Sequence, residues 1–451
     1  MEIHSIKDDS IYNIMCGETN STRYIRKYIC SEKIEAEFAV IEDNYIDRDF
    51  CVDYSKYYSS SHTKVSRVCR RIHFFKKPQT GDLQGLFASS KGTAILQELY
   101  CGFTVIDGIS KDKNGCLKGH VGRTALRTYC KDKDGCGKRN GKSFFHAYPQ
   151  KVSLFGHELI INSLPFTTKD EDVGMCATAA LWVAQFPLIE RHGGSRFSQY
   201  EITDAASKIG LGMSGGRRFP AGLFDEQMIG YLYERGYEVE CLKAEETQAE
   251  YIRKAIKTFV DAKVPVIASL SLHREDDVRS DGHAVVISGY SLGDDGELNG
   301  VYVHDDNIGP YARVKFKNGV NNWEYKEEEY EEYSNIHLDA LIVPLYPKIK
   351  LPYLMALKEG KLYSKNYLDG APYEIILIEG KDYKKRILCE NYNLYDLKDG
   401  SDLTQEVLEM LLPRFVWVVR CNYKGLELDI LLDSTSIERR RIVAVAHLKN
   451  P

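Results

Sequence analysis

Residues 170–194, DEDVGMCATAALWVAQFPLIERHGG, constrain this chain more than any other stretch. A polar lead-in containing Gly174 runs straight into helix formers: Ala177, Ala179, Ala180, Leu181, Trp182, Val183 and Ala184. The stretch is apolar on most faces, so the helix it predicts belongs inside a core. Cys176 stands at the first turn of that helix. The unpaired N–H groups and the dipole at a helix start favour negative charge, which makes this a good place for a thiolate. The plainer reading is a small buried core residue, as for most free cysteines.

The bulk numbers narrow the class. A length of 451 residues predicts two or three domains. With 43% hydrophobic and 28% charged residues, the composition is that of a soluble globular protein. A net charge of −5 gives no electrostatic footprint for nucleic acid. No apolar run approaches a membrane span, and MEIHSIKDDSIYNIMCGE lacks the layout of a secretion signal. The 12 cysteines are scattered, which predicts reduced thiols in the cytoplasm. Neither a membrane nor a nucleic acid is expected as a partner.

Taken in order, residues 1–150 predict an α+β module. Strands are expected at 35–43 and 68–75, a helix at 49–61, and a helix and strand within GTAILQELYCGFTVIDGI. KDKNGC (111–116) echoes KDKDGC (131–136), and Asn114-Gly115 and Asp134-Gly135 are hairpin turn signals. Cys116, His120, Cys130, Cys136 and His146 are close enough to raise a zinc site, but they lack a paired C-x2-C knuckle. No metal and no cofactor is therefore expected. KVSLFGHELIINSLPF predicts a strand or hairpin, with His157 as a polar strand residue. Thr203 and Asp204 read as the N-cap and first turn of the next helix. Helix, strand, amphipathic helix and buried strand then follow to VPVIASLSL, and NNWEYKEEEYEEY is an acidic stretch. PKIKLP marks a boundary before a smaller α+β segment, residues 348–451.

His283 opens the apolar strand HAVVISGY, and Asp305 and Asp306 end the next strand, VYVHDD. If the two strands pair, the midpoint between the histidine and either aspartate falls in Gly293-Asp294-Asp295-Gly296, itself a turn signal. The histidine and one aspartate are then expected side by side on one face. A carboxylate there fixes the imidazole tautomer and stabilises its charged form, and that imidazolium placed near Cys176 would hold a thiolate.

Three pieces carry a family resemblance: VGMCATAALW (173–182), GHAVVISGY (282–290) and VYVHDDNIGPYARV (301–314). They resemble papain-like cysteine peptidases, closest to the bacteriocin-processing (peptidase C39-like) group, over roughly residues 160–345. The resemblance implies a cysteine that starts the central helix, a histidine that opens a strand, and an aspartate that ends the next, often before proline. Cys176, His283 and Asp305 fall on those positions, with Asp306 where the proline would stand. The usual glutamine several residues before the cysteine is absent from PFTTKDEDVGMC, and Gln150 is distant. The Cys176 N–H, with Thr168 or Lys169, is the expected substitute as oxyanion donor.

The resulting expectation is an α+β chain. A papain-like central domain (151–347), with its cysteine helix packed on an antiparallel sheet, lies between smaller α+β domains at 1–150 and 348–451. It is expected to be a cytoplasmic cysteine peptidase acting on peptide or isopeptide bonds through a thioester. Cys176 is the nucleophile, His283 the general base and acid, and Asp305 the orienting carboxylate. The flanking domains are expected to select the substrate or bind a protein partner. The alternatives are an acyltransferase of the transglutaminase or arylamine N-acetyltransferase type, and an inactive papain-like scaffold.

Overall fold

The computed structural model describes residues 2–7, 10–62, 64–79, 81–128, 143–170, 172–210, 222–275, 280–389, 393–395, 404–435 and 442–449. Helices and strands are mixed along the chain, an α+β class. Packing divides it into two compact units: Met1–Tyr231 with Pro265–Ile342, and Leu232–Val264 with Val343–Pro451. The segments 1–150 and 151–347 thus contribute jointly to the first unit. The second hairpin signal at 131–136, with Cys130 and Cys136, lies outside the described residues.

In the first unit, a five-stranded antiparallel sheet runs in chain order through Glu2–Ser5, Phe38–Tyr45, Cys69–Phe75, Tyr100–Lys111 and Leu117–Leu126. The Asn114-Gly115 signal does form a hairpin, with Lys111 paired to Leu117. Gly115 takes φ 82°, the left-handed geometry that such a turn asks of glycine. Two short strands, Tyr148–Leu154 and His157–Ser163, form the expected hairpin. His157 is indeed a buried polar strand residue, held by the Thr93 hydroxyl at 2.7 Å and the Phe87 carbonyl at 3.0 Å.

A second antiparallel sheet contains Val266–His273, Ser280–Leu292, Leu298–Asp305, Gly309–Phe316, Asn322–Glu324 and Asn335–Leu345. Val266–His273 also pairs with Asn335–Leu345, so the sheet closes on itself. Closure removes the exposed edges that an open sheet would leave. The central helix, Cys176–His192, packs on the strands Val266–His273 and Ser280–Leu292. It is buried from Ala177 to Leu188, because its apolar residues leave no polar stripe to face water.

The next helix, Gln199–Lys208, begins earlier than expected. Its N-cap is Ser198, not Thr203, and Ser198 and Glu201 form a reciprocal capping box. Thr203 instead lies inside the helix and hydrogen-bonds Thr178 at 2.9 Å, joining it to the central helix.

The second unit has its own sheet, ordered Tyr373–Glu379, Phe415–Tyr423, Leu426–Asp433, Ile442–Lys449, Asn393–Tyr395. Helix Ala249–Asp261 packs on Tyr373–Glu379 through a face that includes Ile252, Ala255, Ile256 and Phe259. Arg420 and Asp429 form a buried two-point pair at 2.7 and 2.8 Å, with Tyr383 donating to the same carboxylate.

Candidate active site

Cys176 is the first residue of its helix, and its side chain is half-buried. The N-cap, Met175, makes no side-chain capping hydrogen bond to the first-turn N–H groups. The lead-in is tightly held. Tyr58 donates to the Asp170 carboxylate at 2.6 Å, and the Gly174 N–H bonds the Asp170 carbonyl at 2.7 Å. The buried Gln199 side chain donates to the Thr168 carbonyl at 2.9 Å and accepts from the Asp170 N–H at 3.3 Å. A Cβ on Gly174 would fall 2.6 Å from Gln199 Oε1, the atom that accepts the Asp170 N–H. Further along the helix, Trp182 Nε1 donates to Asp49, which also pairs with Arg196. The N-terminal segment therefore positions the cysteine helix.

His283 lies within its strand, which begins at Ser280, and is buried. Strand register places Val286 opposite His304, with bulges at Ile287/Gly289 and Ser291/Leu292. Asp305 therefore meets His283 diagonally, where the turn midpoint predicted a direct pair. His283 Nε2 and Asp305 Oδ1 are 3.0 Å apart, and Cys176 is among the neighbouring groups that favour the charged ring. With Nε2 donating to the carboxylate, Nδ1 is the nitrogen left for sulfur.

Asp305 is fully engaged. Oδ1 also accepts the Asn307 N–H at 3.0 Å, and Oδ2 accepts the Tyr330 hydroxyl at 2.7 Å. Asp306 was expected to point to the opposite face. The strand ends at Asp305, however, so strict alternation stops there, and Asp306 Oδ1 comes within 4.0 Å of His283 Nε2. Its buried carboxylate makes no hydrogen bond, and its other oxygen lies 3.7 Å from Lys169 Nζ.

Burial opposes charge on His283. The Asp305 charge and hydrogen bond, with the Cys176 contact, outweigh it and hold the imidazole pKa well above its ordinary range. Burial also opposes charge on Asp305, but His283, Tyr330 and the Asn307 N–H keep its pKa lowered. Asp306 moves the other way: burial and neighbouring Asp305 raise it against His283 and Lys169. The pair Asp305⁻–His283⁺ thus persists across neutral pH. The share of stability due to Asp305 is lost as pH falls through its lowered pKa, and that due to His283 as pH rises through its raised one.

Tyr330 was hidden in the acidic stretch. It sits in the short helix Glu328–Tyr330, buried, with Tyr325 stacked on it at 4.2 Å between ring centroids. The only hint was aromatic residues interrupting a charge run. Tyr330→Phe removes a hydrogen bond to a buried charge, worth about 1.5–3 kcal/mol. Turnover is expected to fall about 10- to 100-fold with the fold retained, read as kcat/KM beside a melting curve.

His304, next to Asp305, anchors the strand end. Its Nε2–H donates to the Leu164 carbonyl at 2.9 Å, and Nδ1 accepts the Tyr311 N–H at 3.1 Å. Burial pushes its pKa down to about 4. The unfolded chain, with an ordinary imidazole near 6.5, binds the extra proton first, so stability falls as pH drops through this window, by about 3 kcal/mol. His73, also lowered to about 4, titrates in the same window. His304→Gln is expected to remove about half of this acid slope, measured by urea unfolding at several pH values. An unchanged slope would rule out a neutral buried His304.

Of the expected oxyanion donors, Thr168 is committed elsewhere: its hydroxyl and N–H both donate to the Val121 carbonyl. Lys169 Nζ donates to Asn307 at 3.0 Å. Among the described residues, His283, Asp305 and Asp306 are grouped closely enough to hold a metal. Asp305 and His283 already satisfy each other there.

Residues 197–331 match the Peptidase_C39 like family. The chain carries a Peptidase_C39-like region. The match takes in His283, Asp305, Asp306 and Tyr330 and begins downstream of Cys176. It supports a cysteine peptidase in general terms. No curated protein matches the chain. Among solved structures, the peptidase domain of Streptococcus ComA, a bi-functional ABC transporter of a quorum sensing pathway, is 16% identical. The comparison covers 40% of this chain and 96% of that one, with a TM-score of 0.23, too loose an overlap to carry fold or activity across. No described helix is long and apolar enough to cross a membrane.

Proposed function

We propose that this chain is a cysteine hydrolase acting on peptide or isopeptide bonds, with Cys176 as nucleophile and, within the Peptidase_C39-like region, His283 as general acid and base and Asp305 as orienting carboxylate. One observation carries the reading: buried His283 holds its Nε2 3.0 Å from the buried Asp305 carboxylate, and Cys176, at a helix start, is among the groups that favour the charged imidazole. On this reading the arrangement is papain-like.

The chemistry follows from those contacts. His283 holds the proton taken from Cys176, leaving a thiolate that attacks the scissile carbonyl carbon. Charge then develops on the carbonyl oxygen. We assign the Cys176 N–H, in the first turn of its helix, as the donor to it. Collapse breaks the C–N bond while His283 protonates the leaving amine, giving a thioester. Water then attacks that thioester, losing its proton to His283, and the acid product and thiol are released. Asp305 keeps Nε2 protonated and the charged ring stable throughout. Ten described cysteines are free thiols, which suits a reducing compartment such as the cytoplasm.

The test is labelling with iodoacetamide or an epoxide probe of the E-64 type, with Cys176→Ala as control. Cys176 should label ahead of exposed Cys389, and the label should vanish in the variant. Equal labelling of both cysteines would count against an activated thiol. Incubating the acylated enzyme with an amine separates hydrolysis from acyl transfer by product.

A further inference from the structure

Away from the site, the same unit gathers cations around one groove of about 1090 Å³. Helix Asn20–Ile29 contributes Arg23, Arg26 and Lys27, and Lys7, Lys76 and Lys77 complete the basic lining. Glu32, Glu35 and Glu37 share the walls. Two of these are matched locally: Glu37 lies 3.0 Å from Lys7, and Glu35 lies 3.0 Å from Lys76. The lining thus carries six basic side chains against three glutamates, in a chain whose net charge is −5. Arg23 has Glu18 at 3.7 Å, but both are exposed, so the pair is weak and yields readily to a ligand. Arg26 is held in place by the Tyr12 hydroxyl and the Lys7 carbonyl.

The groove helix reaches the site. Tyr24 donates to the Tyr311 carbonyl at 3.3 Å. Its ring lies so close to Gly309 that a Cβ there would fall 2.4 Å away, and Gly309 pairs with Asp305 across the strand turn.

We propose that this groove binds an acidic segment of the polypeptide substrate, with helix Asn20–Ile29 joining that docking site to Cys176, His283 and Asp305. The proposal rests on the hydrolase reading for the word substrate, and on the groove alone for binding. Cations interspersed with glutamates suit carboxylates on flexible, separately adjustable side chains. A phosphate backbone carries its charges at fixed spacing and lacks that freedom.

The full chain is titrated with a fluorescent decaglutamate peptide, read by anisotropy, beside an oligothymidylate of equal length. Decaglutamate should bind more tightly than the oligonucleotide and weaken as salt rises. Arg23→Glu, Lys27→Glu and Lys77→Glu together should weaken it about tenfold or more. These exposed changes should leave the melting curve and the labelling of Cys176 unaltered. No binding, undiminished binding by the triple variant, or tighter binding of the oligonucleotide overturns the groove. Labelling of Cys176 on the same samples keeps the two readings apart. Selective labelling without peptide binding overturns the groove and leaves the hydrolase. Peptide binding without selective labelling overturns the hydrolase, and with it the substrate role, while the groove keeps its ligand.

Discussion

Asp305→Asn is expected to lower kcat/KM by on the order of 10³–10⁴-fold, and Asp306→Asn by less than about tenfold. Asp305 accepts three hydrogen bonds, from His283, Asn307 and Tyr330. An amide in its place keeps the shape but loses the charge that offsets the buried imidazolium. It can also turn its NH2 toward Nε2, favouring the tautomer with the proton on the wrong nitrogen. Asp306 lies 4.0 Å from the same nitrogen with no hydrogen bond, and its carboxyl pKa is raised. Neutralising it removes little that the ring depends on. Both variants are compared against one substrate, with melting curves to show intact folding. If Asp306→Asn is the more damaged, the orienting role moves one residue along. If neither matters, His283 is oriented by something else.

The second large effect concerns reactivity without turnover. His283→Gln should slow alkylation of Cys176 by on the order of 10²-fold at mildly acidic pH, because an ordinary thiol is only about 1% thiolate two units below its pKa. Exposed Cys389 serves as the internal reference and should not change. Retention of fast Cys176 labelling in His283→Gln would mean that the helix start alone activates the sulfur. Glutamine keeps most of the ring's volume, so the comparison separates charge from packing.

The all-round apolar run after Cys176 determined a buried helix, because no other packing hides such a surface. Glycine-rich turn signals determined two hairpins, since few residues tolerate their backbone angles: Asn114-Gly115, and the turn between the strands of His283 and Asp305. The order helix-cysteine, strand-histidine, strand-aspartate was likewise visible. The next helix is capped at Ser198 and not at Thr203, because Ser198 with Glu201 is an equally local signal and makes the stronger cap.

Other features depended on distant parts of the chain meeting. Bulges at Gly289 and Leu292 set the strand register, and a bulge is a local backbone departure that hydrophobic alternation does not encode. Asp306 comes within reach of His283 because the strand stops one residue earlier, ending the alternation that would have turned it away. Tyr330 joins Asp305 across 25 residues, Gln199 braces the lead-in from beyond the cysteine helix, and Asp49 anchors that helix from the N-terminal segment. Composition and periodicity report which face of an element is apolar. They do not report which polar atom another segment brings to it. The helix, the strands and the residue types at the site were therefore written locally, while the partners that orient and charge them came only with the tertiary fold.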